Sequence, residues 1–155
     1  MKFLTDRNLG KLLKWLRILG YDTVPHHGDI NRTFLERGRA EGRVVLSRRR
    51  DLVKRNYRGQ LVIIYADTVA QQIEEVVNKL GLQPDPARYF TRCLRCNGLL
   101  SEVSKTAIGN AVPPYVRYTQ ERFLVCTTCN AVFWAGTHRD NMLKTLTEHN
   151  LMDHL

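Results

Sequence analysis

Four cysteines constrain this chain more than any other feature. Cys93-Leu94-Arg95-Cys96 and Cys126-Thr127-Thr128-Cys129 hold all of them, as two C-x-x-C pairs separated by 29 residues. Two residues between cysteines let one tight turn present both thiolates to one ion. Two such turns facing each other form the closed tetrahedral sulfur cage of structural zinc. The gap exceeds the roughly 15–20 residues of the commonest spacing. A zinc ribbon absorbs that, because its knuckles sit on separate hairpins. Cys93, Cys96, Cys126 and Cys129 are therefore expected to hold one Zn2+. A lone C-x-x-C leaves a redox dithiol open, but the duplication argues against it. Two disulfides would need an oxidising compartment.

No apolar run approaches the ~18 residues that span a bilayer, so no membrane association is expected. The start, Met1-Lys2-Phe3-Leu4-Thr5-Asp6, lacks a cleavable apolar stretch and does not read as a signal peptide. The expected compartment is the cytoplasm. The formal net charge is +9. Residues 1–90 carry 17 Lys/Arg against 10 Asp/Glu, and residues 91–155 carry 7 against 5. The basicity therefore belongs to the first part. Such a balance is the footprint of a nucleic-acid binder, although solubility alone also accounts for it.

Strand and helix signals alternate through residues 1–81. Lys2–Asp6 reads as a strand, followed by a helix with Leu9, Leu12, Leu13, Leu16 and Leu19 at helical spacing and Gly20 as its stop. Its other face carries Arg7, Lys11, Lys14 and Arg17, with no acid between 7 and 20. That face suits either solvent or phosphates. Tyr21–Val24 is a second strand, and His26 and His27 fall in a surface loop. Asn31–Glu41 is a helix, and Arg43–Ser47 is a buried strand. Arg48, Arg49, Arg50, Lys54 and Arg55 form a basic run that also faces nucleic acid in this reading. Leu61–Tyr65 is a strand and Val69–Leu80 an amphipathic helix. Short connections and alternating elements predict an α/β fold with a mainly parallel sheet.

Pro84 and Pro86 mark 82–91 as a linker. The expected organisation is an α/β domain over 1–81, the linker, and a zinc ribbon with a C-terminal helix over 92–155. Residues 147–155, with His149 and His154, read as a frayed tail.

In open α/β sheets, function gathers at the carboxyl ends of the strands. Asp6, Asp29, Asp51 and Asp67 each follow one strand. An acid there is most often a helix cap. Several converging on one place repel unless cations hold them. Hard oxygen donors select Mg2+ or Mn2+, and two such ions suit phosphodiester hydrolysis.

The order of elements resembles a known family. The carrying segments are Phe3-Leu4-Thr5-Asp6 with Leu9-Gly10-Lys11-Leu12, Trp15–Asp22, and Glu41–Arg48. Gln72, Phe90–Gly98 and Phe133-Trp134-Ala135-Gly136-Thr137-His138 complete the set. Together they are similar to the Mut-seven C-terminal RNase domain, which couples a PIN-like nuclease domain to a zinc ribbon. The resemblance covers residues 2 to about 143. It implies a three-layer α/β/α sandwich whose acids bind Mg2+ or Mn2+ and cut RNA, with Asp6 as the first acid and Asp29 as the second. The family usually has Thr-Arg-Asp after the third strand; here Ser47-Arg48-Arg49 stands there, so Arg49 occupies the place of an acid. That exchange changes the local charge by two units and works against a metal ion, unless Asp51 takes its place.

Two functions follow as expectations. One is a metal-dependent ribonuclease using Asp6, Asp29, Asp51 and Asp67. The other is an RNA-binding module that kept the fold and lost the metals, with Arg49 gripping phosphate. A weaker third is a protein directed at a folded RNA or the ribosome.

Overall fold

The computed structural model describes residues 1–148; the rest of the expected tail, with His149 and His154, lies outside the described residues. Four strands, β1 (Lys2–Thr5), β2 (Asp22–Pro25), β3 (Val44–Ser47) and β4 (Leu61–Ile63), form an all-parallel sheet in the order β2-β1-β3-β4. Register pairs Phe3 with Thr23 on one side and with Val44 on the other, which makes β1 a central strand.

Alternation along the strands divides the core in two. Phe3, Val44, Leu46, Val62 and Ile64 meet Leu12 and Leu16 of α1 (Gly10–Ile18), together with Ile73 and Val76 of α3 (Val69–Leu80). On the opposite face Leu4, Val45 and Ile63 meet Phe34 and Leu35 of α2 (Arg32–Ala40). Helices thus cover both faces. Three helices open on expected capping chemistry: Asp6 caps the 3-10 turn before α1, Asn31 caps α2 and Thr68 caps α3.

The fourth strand stops two residues before its predicted end. The Tyr65 and Ala66 N–H groups donate to the Glu75 carboxylate of α3 at 3.0 Å each. A side chain therefore takes the donors that a longer strand would need.

His26 is buried, not on a loop surface as expected. Its N–H donates to the Thr5 carbonyl at 2.8 Å, and its ring lies 5.0 Å from that of Phe34.

The segment 82–91 packs closely on the sheet domain. Leu82 and Tyr89 enter the α1–α3 core, and the Phe90 N–H donates to the Ile18 carbonyl at 2.8 Å. Gly20, at φ +86, passes so close to the Arg88 carbonyl that a side chain there would collide with it.

The C-terminal part is an antiparallel sheet of β5 (Leu100–Val103), β6 (Phe123–Cys126) and β7 (Val132–Trp134). The long gap between the cysteine pairs holds β5, β6 and two short helices, α4 (Lys105–Ile108) and α5 (Pro114–Thr119). Ile108, Val112, Val116 and Phe123 make a small core of their own. Helix α6 (Thr137–Glu148) then returns to the first sheet, where Leu146 is buried and Met142 packs against the α1–α3 core. It runs two residues into the expected tail.

Candidate functional site

The two cysteine pairs fold into matching knuckles. In each, the residue after the second cysteine is an asparagine at positive φ, 71° for Asn97 and 60° for Asn130. Asparagine tolerates that conformation better than other residues with a Cβ. In each, its N–H donates to the carbonyl of the first cysteine, at 2.9 Å in Asn97→Cys93 and 3.1 Å in Asn130→Cys126. The turns also aim N–H groups at sulfur: Gly98 at Cys96, and both Thr128 and Cys129 at Cys126, each at 3.4 Å. The Cys129 N–H foremost, and then that of Thr128, hold the Cys126 thiol below its ordinary pKa.

The four Sγ atoms all lie within 4.8 Å of one another, with Cys93–Cys129 at 3.7 Å and Cys96–Cys126 at 3.4 Å. A tetrahedron with Zn–S bonds of about 2.3 Å sets sulfurs about 3.8 Å apart. All four cysteines are free thiols. The set fits a zinc ion.

The first knuckle docks on strand β2. Asn97 Oδ1 accepts from the Thr23 N–H at 3.0 Å, and its Nδ2 donates to Asp22 at 2.8 Å. Asp22 also pairs with Arg43 at 2.7 Å. Burial opposes its ionisation, but the bonds from Arg43 and Asn97 outweigh that and hold its carboxyl below the usual value.

Arg17 belongs to this junction. Expected on a phosphate-facing surface, it is instead buried, with 4% of its area exposed. Its guanidinium donates to the Thr23 and Leu94 carbonyls, both at 2.9 Å. Burial lowers its pKa, and the nearby Cys93 and Cys96 oppose that shift. It braces helix against knuckle and has no surface to offer a ligand.

At the carboxyl edge of the parallel sheet, Asp6 is fully buried. Its Oδ1 accepts from the Asn8 N–H at 2.8 Å, and its Oδ2 accepts from Ser47 Oγ at 2.7 Å and the Arg48 N–H at 2.9 Å. Asp29 is exposed in the loop after β2. Asp51 lies in a two-pronged pair with Arg49, at 2.9 and 2.7 Å, and each raises the other's preference for its charged form. Asp67, 91% exposed, meets Arg48 at 2.8 Å. Arg49 also donates to the Ile30 carbonyl at 2.9 Å and Arg48 to the Ala66 carbonyl at 2.7 Å.

These carboxylates suit a hard divalent ion in kind. Three of them have partners within the protein, and the four are not gathered on one point. Among the described residues, the cysteines are the group of three or more ligating side chains that the fold brings together. Arginines occupy Asp51 and Asp67, and protein donors hold Asp6.

The remaining predicted cations differ in availability. Arg50 lies over the Tyr65 ring at 4.9 Å, and Arg55 approaches Asp51 at 3.8 Å. Arg7, Lys11, Lys14 and Lys54 are exposed. The sequence reading missed Ser47, which fixes Asp6, and the docking role of Asn97. The signal for the second was present, because an asparagine follows each C-x-x-C.

No helix among the described residues is long and apolar enough to cross a membrane. No curated protein and no solved structure matches the chain significantly. One family model does match, the Mut7-C RNAse domain, over residues 1–146. With a parallel sheet edged by acids and a four-cysteine cage behind it, the chain belongs to the Mut7-C RNAse domain family.

Proposed function

We propose that this protein is a ribonuclease of the PIN-like class that acts on RNA in the cytoplasm, with a structural zinc ion in its ribbon. The observation that carries the reading is Asp6. It is a fully buried carboxylate at the end of a central strand, in a family of RNase domains. Burying a carboxylate is costly unless it is well hydrogen-bonded, and three donors orient this one. Asp29, Asp51 and Asp67 follow the other three strands and complete the proposed acid set.

The Arg49–Asp51 pair favours a second reading, RNA binding without hydrolysis. A guanidinium holds an acid that a cation would need, and its fork matches phosphate equally well.

Cleavage of a labelled RNA in Mg2+ or Mn2+ separates the two. The nuclease reading expects cleavage by the wild type, loss in Asp6→Asn, and faster cleavage in Arg49→Asp. RNA retained but uncut by both the wild type and Arg49→Asp selects the binding reading. Equal cleavage by wild type and Asp6→Asn identifies a contaminant.

A further inference from the structure

A groove of about 770 Å3 lies between α1, the first knuckle and α6. Lys11, Lys14, Trp15 and Ile18 recur at helical spacing and form one wall. Leu94 and Arg95 supply the second. Asn141, Met142 and Thr145 supply the third. No acid lines it.

Two observations give the groove a chemistry. Its cations are free: among the described residues, Lys11, Lys14 and Arg95 make no hydrogen bond or ion pair. Many cations elsewhere are engaged, as in Arg32–Glu36, Arg43–Asp22, Arg48–Asp67, Arg49–Asp51, Lys79–Glu75 and Arg122–Glu102, whereas these three stand around one groove. Three unpaired cations around one groove suit a polyanion by charge complementarity. The α1 wall holds Trp15, half-buried and packed on the core, so that its indole is held by the protein's own interior. A fixed aromatic ring ringed by cations is how proteins hold unpaired nucleic-acid strands, with bases stacked and phosphates bound.

We propose that this groove binds single-stranded RNA, with a base stacked on Trp15 and phosphates on Lys11, Lys14 and Arg95. The inference rests on the RNA reading above and names the form of RNA. A duplex keeps its base faces stacked inside, whereas a single strand can offer one to the indole. Arg17, from the same helix, is replaced in this surface by Arg95, which the knuckle brings across.

The test uses the full-length, zinc-loaded protein without Mg2+ or Mn2+. A labelled oligouridine and an RNA duplex of equal length are titrated at several salt concentrations. Single strands lose about 0.7 of salt slope per phosphate contact removed. Lys11→Gln/Lys14→Gln/Arg95→Gln is expected to weaken oligouridine binding at least tenfold and to cut the slope by about 2. Trp15→Leu is expected to weaken it roughly tenfold with the slope unchanged, and Trp15→Phe to restore most of it. Oligouridine is expected to quench tryptophan fluorescence in the wild type and not in Trp15→Phe.

A folded triple variant that binds oligouridine as the wild type does overturns the groove. Should Arg50→Gln/Lys54→Gln abolish that binding instead, the RNA reading stands and the groove falls. Equal affinity for the duplex overturns the single-strand assignment. A wild type that binds neither RNA refutes the RNA reading itself.

Discussion

Asn97 reaches Asp22 and Thr23 with one amide, donating to the carboxylate at 2.8 Å and accepting from the N–H at 3.0 Å. A residue of the zinc knuckle is thereby a structural part of strand β2. Asn97→Ala removes both bonds, leaves a buried N–H without a partner, and keeps a side chain at φ 71°. An unsatisfied buried group costs about 1–3 kcal/mol. Asn97→Gly loses the same bonds but relieves the backbone. Urea denaturation of zinc-loaded protein is expected to rank wild type above Asn97→Gly, and Asn97→Gly above Asn97→Ala. Equal stability of all three would show that the amide does not hold the junction.

Acid should loosen the same junction. The folded-state pKa of Asp22 is depressed, so its ionisation contributes stability that is complete above the unfolded carboxyl range. The contribution fades as pH falls from about 5 through the unfolded value near 3.9 and toward the folded one. Asp22→Asn removes the linkage. The stability difference between wild type and variant is expected to be largest at pH 6–7 and to shrink below about pH 4, by denaturation at each pH. A difference independent of pH would assign the effect to packing.

Removing zinc should be felt beyond the ribbon. One Zn2+ per chain is expected by native mass spectrometry, and none in Cys96→Ser/Cys129→Ser. If residues 1–81 and 92–155 were separate folding units, chelation would melt only the second. The contacts point to a wider effect, because Arg17 is tied to Leu94 and Leu146 sits in the first core. Chelation is expected to lower the melting temperature read by the sheet as well as by the ribbon. Amide exchange at Leu4 and Val45 reads the sheet directly.

Asp6 should prove structural as well as chemical. Asp6→Ala strands the Asn8 and Arg48 N–H groups and the Ser47 hydroxyl together. At about 1–3 kcal/mol for each unsatisfied donor, a loss of at least about 3 kcal/mol is expected in urea denaturation. Asp6→Asn keeps one acceptor and should lose less. A change below about 1 kcal/mol in Asp6→Ala would mean that water replaces these bonds.

The alternation of buried strands with amphipathic helices was legible because both periods are local. The cysteine spacing was legible because two ligands share a turn. Arg17 was not, because helical spacing placed it among Arg7, Lys11 and Lys14. Its burial depends on a carbonyl 77 residues away. The acids illustrate the same limit. Their positions name the strand each one follows, yet the gaps between their oxygens depend on arginines that intervene. Helices α4 and α5 escaped notice because each is at most six residues long, although Pro114 at the first position of α5 suits a helix start.

The sheet's order leaves β2 at an edge, where main-chain groups invite a strand from another molecule. Thr23 lies in the middle of that edge. Its N–H is taken by Asn97 and its carbonyl by Arg17. Both caps depend on the knuckle, one directly and one through Leu94. The ribbon thus acts as a lateral shield that stops copies from adding to one another strand by strand. Metal starvation would lay that border bare and adhesive.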